Sequence, residues 1–299
     1  MDLKQLRYFR AVAEEQQVTK AAKRLHMAQP PLSQQIKLME EELNLKLFDR
    51  NGRKLELTKA GEILFEKSGR LLLDFSEALV EVRETNEGIR GKVHIGSTKS
   101  CFSYLSRALQ LFKNQHPSIT YQLREGDTYF LEECIKKREI ELAIVRLPMH
   151  SDEFNIISLP SEPYILVTPD NWKIENQNGS IDFKELRDLP LMLLHRISGV
   201  GQFELVVEEC RRNGIDPHVI CECPDAAMLL SLVANGVGAT IVPESTLHAF
   251  AFKNVKSYQL KGTEIQSEAA VIWHKERYLT RASQRLIQVL EDQASYVEA

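Results

Sequence analysis

Four short stretches of this chain carry residues suited to holding a small charged molecule. Gly96-Ser97-Thr98-Lys99-Ser100 places three hydroxyls and a cation in a turn between an apolar run and a helical pattern. Backbone donors and the positive end of a helix dipole suit an anion there; a plain helix cap is the alternative. Gly126-Asp127-Thr128 repeats the arrangement after the next apolar run. Arg146 directly follows Ala143-Ile144-Val145, so its charge needs either a structural ion-pair partner or a ligand. Ser198-Gly199-Val200-Gly201-Gln202-Phe203 offers backbone donors, an amide and an aromatic ring as an opposing jaw. Together these groups favour a small carboxylate, aromatic or aliphatic, with an uncharged ligand as the alternative. No HExxH, GxxxxGK[ST] or GxSxG motif occurs, and Gly236-Val237-Gly238 lacks the third glycine of a dinucleotide fingerprint. The eight histidines show no metal-ligand spacing. The expectation is binding without a catalytic group, a metal or a cofactor.

A second group of residues suits a polyanion. Gln29, Ser33, Gln34 and Lys37 fall on the outer face of a helix whose other face carries Leu32, Ile36, Met39 and Leu43. Glutamine can read adenine edges in a major groove, while serine and lysine can hold phosphates. An ordinary solvated face is the alternative. Pro30 and Pro31 fit the first turn of that helix, where no internal hydrogen bond is lost. A short preceding helix starts near Thr19, taken as its cap, and runs through Ala21, Ala22 and Leu25. Downstream, residues 48–57 read as strand, glycine turn and strand, with Arg50, Arg53 and Lys54 around the tip. Helix, turn, helix and basic hairpin make a winged helix-turn-helix, a head that puts one helix in the major groove and its wing on the backbone or minor groove. Charge agrees. Residues 1–60 hold 12 Lys and Arg against 8 Asp and Glu, a net +4, and the rest of the chain carries −8.

Thr58 can cap a further helix. Leu57, Leu64, Leu71 and Ala78 recur every seven residues, with Gly61, Ser68, Phe75 and Val82 as a companion seam and Phe65, Leu72 and Leu79 beside them. A helix of about 30 residues is roughly 45 Å long. That is too long to bury its seam on so small a head, so a partner chain is favoured over packing on its own domain. From residue 92 the period changes. Strand patterns at 92–96, 120–124, 142–145, 164–168, 191–195, 219–223, 239–242 and 269–273 alternate with helices at 104–115, 130–137, 182–187, 203–212, 226–234 and 281–296. Such alternation predicts a mostly parallel sheet covered by helices.

The stretch from Leu6 to Gly61, with AAKRLHMAQPPLSQQIKLMEEELNLKLFDR at its centre, resembles the N-terminal signature of LysR-type transcriptional regulators. Met39 stands where that pattern has leucine, and Gln34 where many members carry arginine on the reading face. The resemblance extends along essentially the whole chain. It implies a winged helix-turn-helix over 1–58, a dimerising linker helix over 59–90 and a periplasmic-binding-protein-like α/β effector domain over 91–299. That domain has two lobes: lobe I spans about 91–162 and 267–299, lobe II about 163–266, with crossings near 160–164 and 265–269. Ser100, Thr128, Arg146 and Phe203 match positions where some members contact inducers; Ser97, Lys99 and Gln202 join them from the sequence reading. The resemblance also implies an inverted-repeat operator, a homotetramer built on the linker dimer, and contact with RNA polymerase in activation or repression.

The 299 residues suggest about two domains, and 43% apolar with 27% charged residues is ordinary for a globular chain. No export signal or run of 18 apolar residues is found, and five cysteines fit a reducing, cytoplasmic setting. Cys221 and Cys223 alternate on one strand face, read as core packing or a dithiol, and Cys101 is the thiol nearest the expected cleft. His195 is expected to pack at the cleft edge. A solute receptor or an α/β enzyme would explain the body but leave the basic head without a role.

Overall fold

A computed structural model describes residues 1–51, 54–87, 91–149, 152–175, 178–196, 201–250 and 252–295. The chain divides into two units, Met1–Asn86 and Glu87–Ala299.

The first unit begins with α1 (Leu3–Glu15), α2 (Val18–Arg24) and α3 (Gln29–Leu43). Asp2 starts α1 with a capping box: its side chain accepts from Gln5 N, and Gln5 answers to the Asp2 backbone. Phe9, Val12, Ala21, Leu32 and Met39 are fully buried where the three helices meet. Thr19 is not a cap. Gln17 precedes α2, and Thr19 is an exposed residue of its first turn. Leu43 lies at the end of α3 and is exposed, because the chain leaves there through left-handed Asn44. The wing is an antiparallel pair, β1 (Phe48–Asn51) and β2 (Lys54–Leu57). It is fixed to the helices by Phe48 packed at a tilt against Phe9 (5.3 Å between centroids) and by Leu55 N donating to the Gln16 carbonyl.

Thr58 Oγ1 accepts from Gly61 N at the start of α4 (Lys59–Glu87). The first part of α4 packs on its own head rather than on a partner. Leu64, Phe65 and Leu72 join the head core, and Arg10 lies over the Phe65 ring and donates to its carbonyl. Gly61 and Ser68 are buried there too, and a Cβ on Gly61 would collide with the Leu47 carbonyl. The small residues of the companion seam are therefore sites of close helix-on-head contact. Farther along, Leu71, Phe75, Leu79 and Val82 are exposed.

The second unit starts with β3 (Gly91–Ser97), α5 (Phe102–Gln115), β4 (Ile119–Glu125), α6 (Thr128–Lys136), β5 (Leu142–Arg146) and β6 (Phe154–Ser158). The chain then crosses into β7 (Glu162–Pro169), β8 (Ser180–Asp182), β9 (Leu191–Leu194), α7 (Gln202–Arg212), β10 (Val219–Cys223), α8 (Ala226–Ala234), β11 (Ala239–Pro243), α9 (Glu244–His248), β12 (Val255–Lys261) and β13 (Gln266–Ser267). It returns through β14 (Ala269–His274) and α10 (Arg281–Ser295).

Two sheets result, ordered β4-β3-β5-β14-β6 and β10-β9-β11-β7-β12-β8, with β13 on β7. Both are mixed rather than mostly parallel. β5 ends at the crossing and β14 begins there, with Ala269 opposite Arg146, so the returning strand must run antiparallel. The two crossing segments pair with each other, Gln266 with Pro163 and Ser267 with Glu162. Strands alternate between two cores. Leu142 and Ile144 pack under α5 and α10, while Ala143 and Val145 pack under α6. Leu191 and Leu193 face α7, and Met192 and Leu194 face α8. Burial on both faces explains the unbroken apolar runs of β5 and β9.

Candidate functional site

On the head, α3 begins at Gln29 with Pro30 and Pro31 in its first turn and no side chain capping it. Leu32, Ile36 and Met39 turn inward, which leaves Gln29, Pro30, Pro31, Gln34 and Lys37 exposed and Ser33 half-buried on the outer face. Lys37 pairs with Glu41 one turn on, at 3.3 Å, an exposed pair that a phosphate can compete for. Lys54 is exposed at the start of β2, and Arg50 sits opposite Leu55 in the wing ladder. The Arg50 side chain and Arg53 lie outside the described residues, as do Ser198, Gly199 and Val200. The exposed donors thus share one helix face.

In the second unit a cavity of about 410 Å³ opens between the two sheets' strand ends. Thr98, Lys99, Ser100 and Thr128 line it from lobe I, and Tyr164, His195, Arg196, Gln202 and Asp225 from lobe II. Helix starts converge here, as strand-to-helix turns dictate in an open α/β sheet. Asp127 caps α6 by accepting from Phe130 N at 2.8 Å, and Asp225 caps α8 by accepting from Met228 N at 2.9 Å. The turn at Lys99–Cys101 has no side-chain cap. Thr98 Oγ1 and Ser100 Oγ are 3.3 Å apart, and both residues are buried.

Two of the expected contacts stand away from the cavity lining, and a third lines it with its charge already paired. Ser97 does not line the cavity; it is buried and its hydroxyl donates to the Thr98 carbonyl. Phe203 packs against the lobe II core and reaches the cavity only through an edge contact with His195, at 5.6 Å. Arg146 lines the cavity, and its guanidinium is paired within the protein. Nη1 donates to Glu162 (2.7 Å) and Ser267 (3.0 Å), and Nη2 donates to the Ser100 carbonyl (2.7 Å) and Ser245 (2.8 Å). Burial works against this charge, yet beside Glu162 the guanidinium holds its proton more tightly than usual. Glu162 also accepts from Tyr104 and from Ser245 N and Oγ. The network ties α5, β5, β7, α9 and β13 together at the crossing.

Arg196 and Asp225 line the cavity without having been singled out from the sequence. Arg196 Nη2 donates to the Arg146 carbonyl at 2.7 Å and Nη1 to the Pro148 carbonyl at 3.2 Å, and burial lowers its pKa. Lys99 forms an ion pair with Asp225 across the cleft. The only sequence signal for Arg196 was its place just past a strand end, beside His195. Gln202 donates to the Ile241 carbonyl. The cysteines are unpaired; Cys223 and Cys221 share one core face, and burial pushes the Cys210 thiol up to about 11. Among the described residues no three His, Cys, Asp or Glu groups converge as a metal would need, and no helix is long and apolar enough to cross a membrane.

A winged helix-turn-helix unit and a two-lobed α/β unit with a cleft between its lobes define the class: a DNA-binding regulator with a small-molecule receptor domain. Residues 3–62 match the family model for bacterial regulatory helix-turn-helix proteins of the lysR family, and residues 86–295 match the LysR substrate binding domain. The HTH-type transcriptional regulator BsdA of Bacillus subtilis is 34% identical over 96% of this chain and 99% of its own. The regulator AlsR of the same organism is 30% identical over 93% and 92%. Among solved structures, full-length CbnR complexed with its target DNA superposes with a TM-score of 0.70 at 24% identity, over 98% of this chain and all of that one. Full-length BenM gives 0.59 at 26%, over 100% and 98%. The chain belongs to the LysR family of DNA-binding transcriptional regulators, and its second unit is that family's effector-binding domain. Its relatives are regulators, not enzymes.

Proposed function

We propose that this regulator binds a small carboxylate in the interlobe cavity and that occupancy changes how it engages an inverted-repeat operator. The observation that carries the reading is the cavity lining. Lys99 and Arg196 supply positive charge, Thr98, Ser100 and Thr128 supply hydroxyls, and the uncapped turn at Lys99–Cys101 borders the same space. Lys99, Ser100, Thr128 and Gln202 are the contacts retained from the sequence; Arg196 and Tyr164 are added.

On the head, Thr19, Gln29, Pro30, Pro31, Ser33, Gln34 and Lys37 face the major groove, and Arg50, Arg53 and Lys54 hold the flanking backbone from the wing. The exposed apolar residues of α4 pair with a second chain, spacing two heads over two half-sites. Pairing of effector domains extends the dimer to a tetramer, and the DNA-bound assembly acts on RNA polymerase in the cytoplasm.

A mobility-shift and footprint assay on the protein's own upstream DNA, with and without a panel of small carboxylates, tests this. A specific footprint whose length or bend changes with one carboxylate is the expected result. A specific footprint indifferent to every carboxylate removes the anion from the reading. No specific footprint at low salt, where phosphate contacts are strongest, removes the operator.

A further inference from the structure

The interlobe cavity already holds a carboxylate on its own cation. Lys99 stands on the first turn of lobe I and Asp225 at the start of α8 in lobe II; the two form an ion pair, and both line the cavity. Asp225 divides its oxygens. Oδ1 accepts from Met228 N and caps α8, while Oδ2 takes the Lys99 ammonium. Arg146 is held instead by Glu162 on the crossing strand, and Arg196 donates to the carbonyls of Arg146 and Pro148. Lys99 is thus a cavity cation whose carboxylate partner comes from the facing lobe. The pair is open to exchange, since the Lys99 and Asp225 side chains are 34% and 25% exposed.

We propose that Asp225 is a built-in competitor for the effector's carboxylate: it occupies Lys99 in the empty cleft and is displaced when an anionic ligand takes its place. This rests on the anionic-effector reading above and adds the element that selects for charge. An anion exchanges one ion pair for another. A neutral ligand offers Lys99 at most an uncharged acceptor, which does not replace a carboxylate, and leaves the pair intact. Displaced Asp225 keeps its cap on α8 through Oδ1 and turns its other oxygen toward water. Two consequences follow from one pair. Competition raises the ligand concentration needed for occupancy, and occupancy removes a tether between the lobes, so binding and lobe contact are linked.

Isothermal titration of the full-length protein tests the proposal, with benzoate and acetate as probes and benzamide and acetamide as their neutral counterparts. The proteins are the wild type, Asp225→Asn, Lys99→Gln and the double variant, each checked by its melting curve. Asparagine caps a helix as well as aspartate, so Asp225→Asn removes the competing charge and keeps the cap. The expected result is carboxylate affinity about fivefold tighter in Asp225→Asn, the upper range for a solvent-reachable pair. The gain disappears in the Lys99→Gln background, and the amides do not respond to either change. Carboxylates that bind the wild type and Asp225→Asn equally overturn the competitor while leaving the anionic effector standing. The same gain without Lys99 overturns it too. Carboxylates that bind none of the four proteins overturn both.

Discussion

Arg146 is 7% exposed, and every N–H of its guanidinium meets Glu162, Ser267, Ser245 or Ser100. Removing it leaves the Glu162 carboxylate, only 11% exposed, without its cation. A broken buried pair costs about 3–5 kcal/mol, most of it the penalty on the charge left behind. Arg146→Met is expected to lower unfolding stability by about 3 kcal/mol, and Glu162→Met added to it to restore part of the loss. Urea denaturation followed by circular dichroism measures both. A ligand-contact role without the structural one would leave the single variant's midpoint unchanged and weaken only effector binding. The sequence showed that a charge ended a buried strand, yet could not name its partner. Glu162, Ser245 and Ser267 are 16, 99 and 121 residues away and meet Arg146 only because the crossing strands pair. For the same reason the Lys99–Asp225 pair, 126 residues apart, left no local trace.

Elements with strong apolar periodicity were legible nearly to the residue: α8 over 226–234 and β10 over 219–223 lie where the pattern puts them. β12 was not, because only Tyr258 of its seven residues is buried and the strand has no apolar alternation to read. The long α4 was legible as a helix, but its seven-residue repeat conflates two surfaces. Gly61, Leu64, Phe65 and Ser68 serve the head, while Leu71, Phe75, Leu79 and Val82 remain exposed at 51%, 40%, 42% and 67%. The second set presents apolar surface that another chain can cover. Phe75→Asp with Val82→Asp is expected to shift the protein from dimer or tetramer toward monomer in sedimentation velocity, with the head's helical signal retained. Leu64→Ala instead should lower the head's stability by about 2–5 kcal/mol, the range for a buried leucine, reduced by its partial exposure. On α3 the contrast is between positions that read and positions that hold. Gln34→Ala is expected to cost about 1–3 kcal/mol at one base pair of the operator and to relax its identity. Lys54→Ala should weaken all sequences alike and flatten the salt dependence by about one counterion. Competition footprints at two salt concentrations separate the two.

The two units carry separate cores, so the molecule works as a regulator only if occupancy of the cavity and occupancy of the operator influence each other. That influence is a coupling free energy and is reciprocal. If a carboxylate changes operator affinity by some factor, operator DNA must change carboxylate affinity by the same factor, whichever arrangement of chains transmits it. Typical couplings are about 5- to 150-fold. The expected outcome is therefore a pair of equal ratios: operator Kd with and without saturating carboxylate, and carboxylate Kd with and without saturating operator. Fluorescence anisotropy of labelled operator gives the first, and titration calorimetry on the DNA-bound protein gives the second. Asp225→Asn sharpens the comparison. By removing a tether between the lobes without a ligand, it should move the ligand-free operator Kd part of the way toward the liganded value and shrink both ratios together. Ratios of one, with tight binding at each site, would mean that the cavity binds without signalling. Equal ratios that survive Asp225→Asn at full size would place the transmitted change elsewhere than in the Lys99–Asp225 contact.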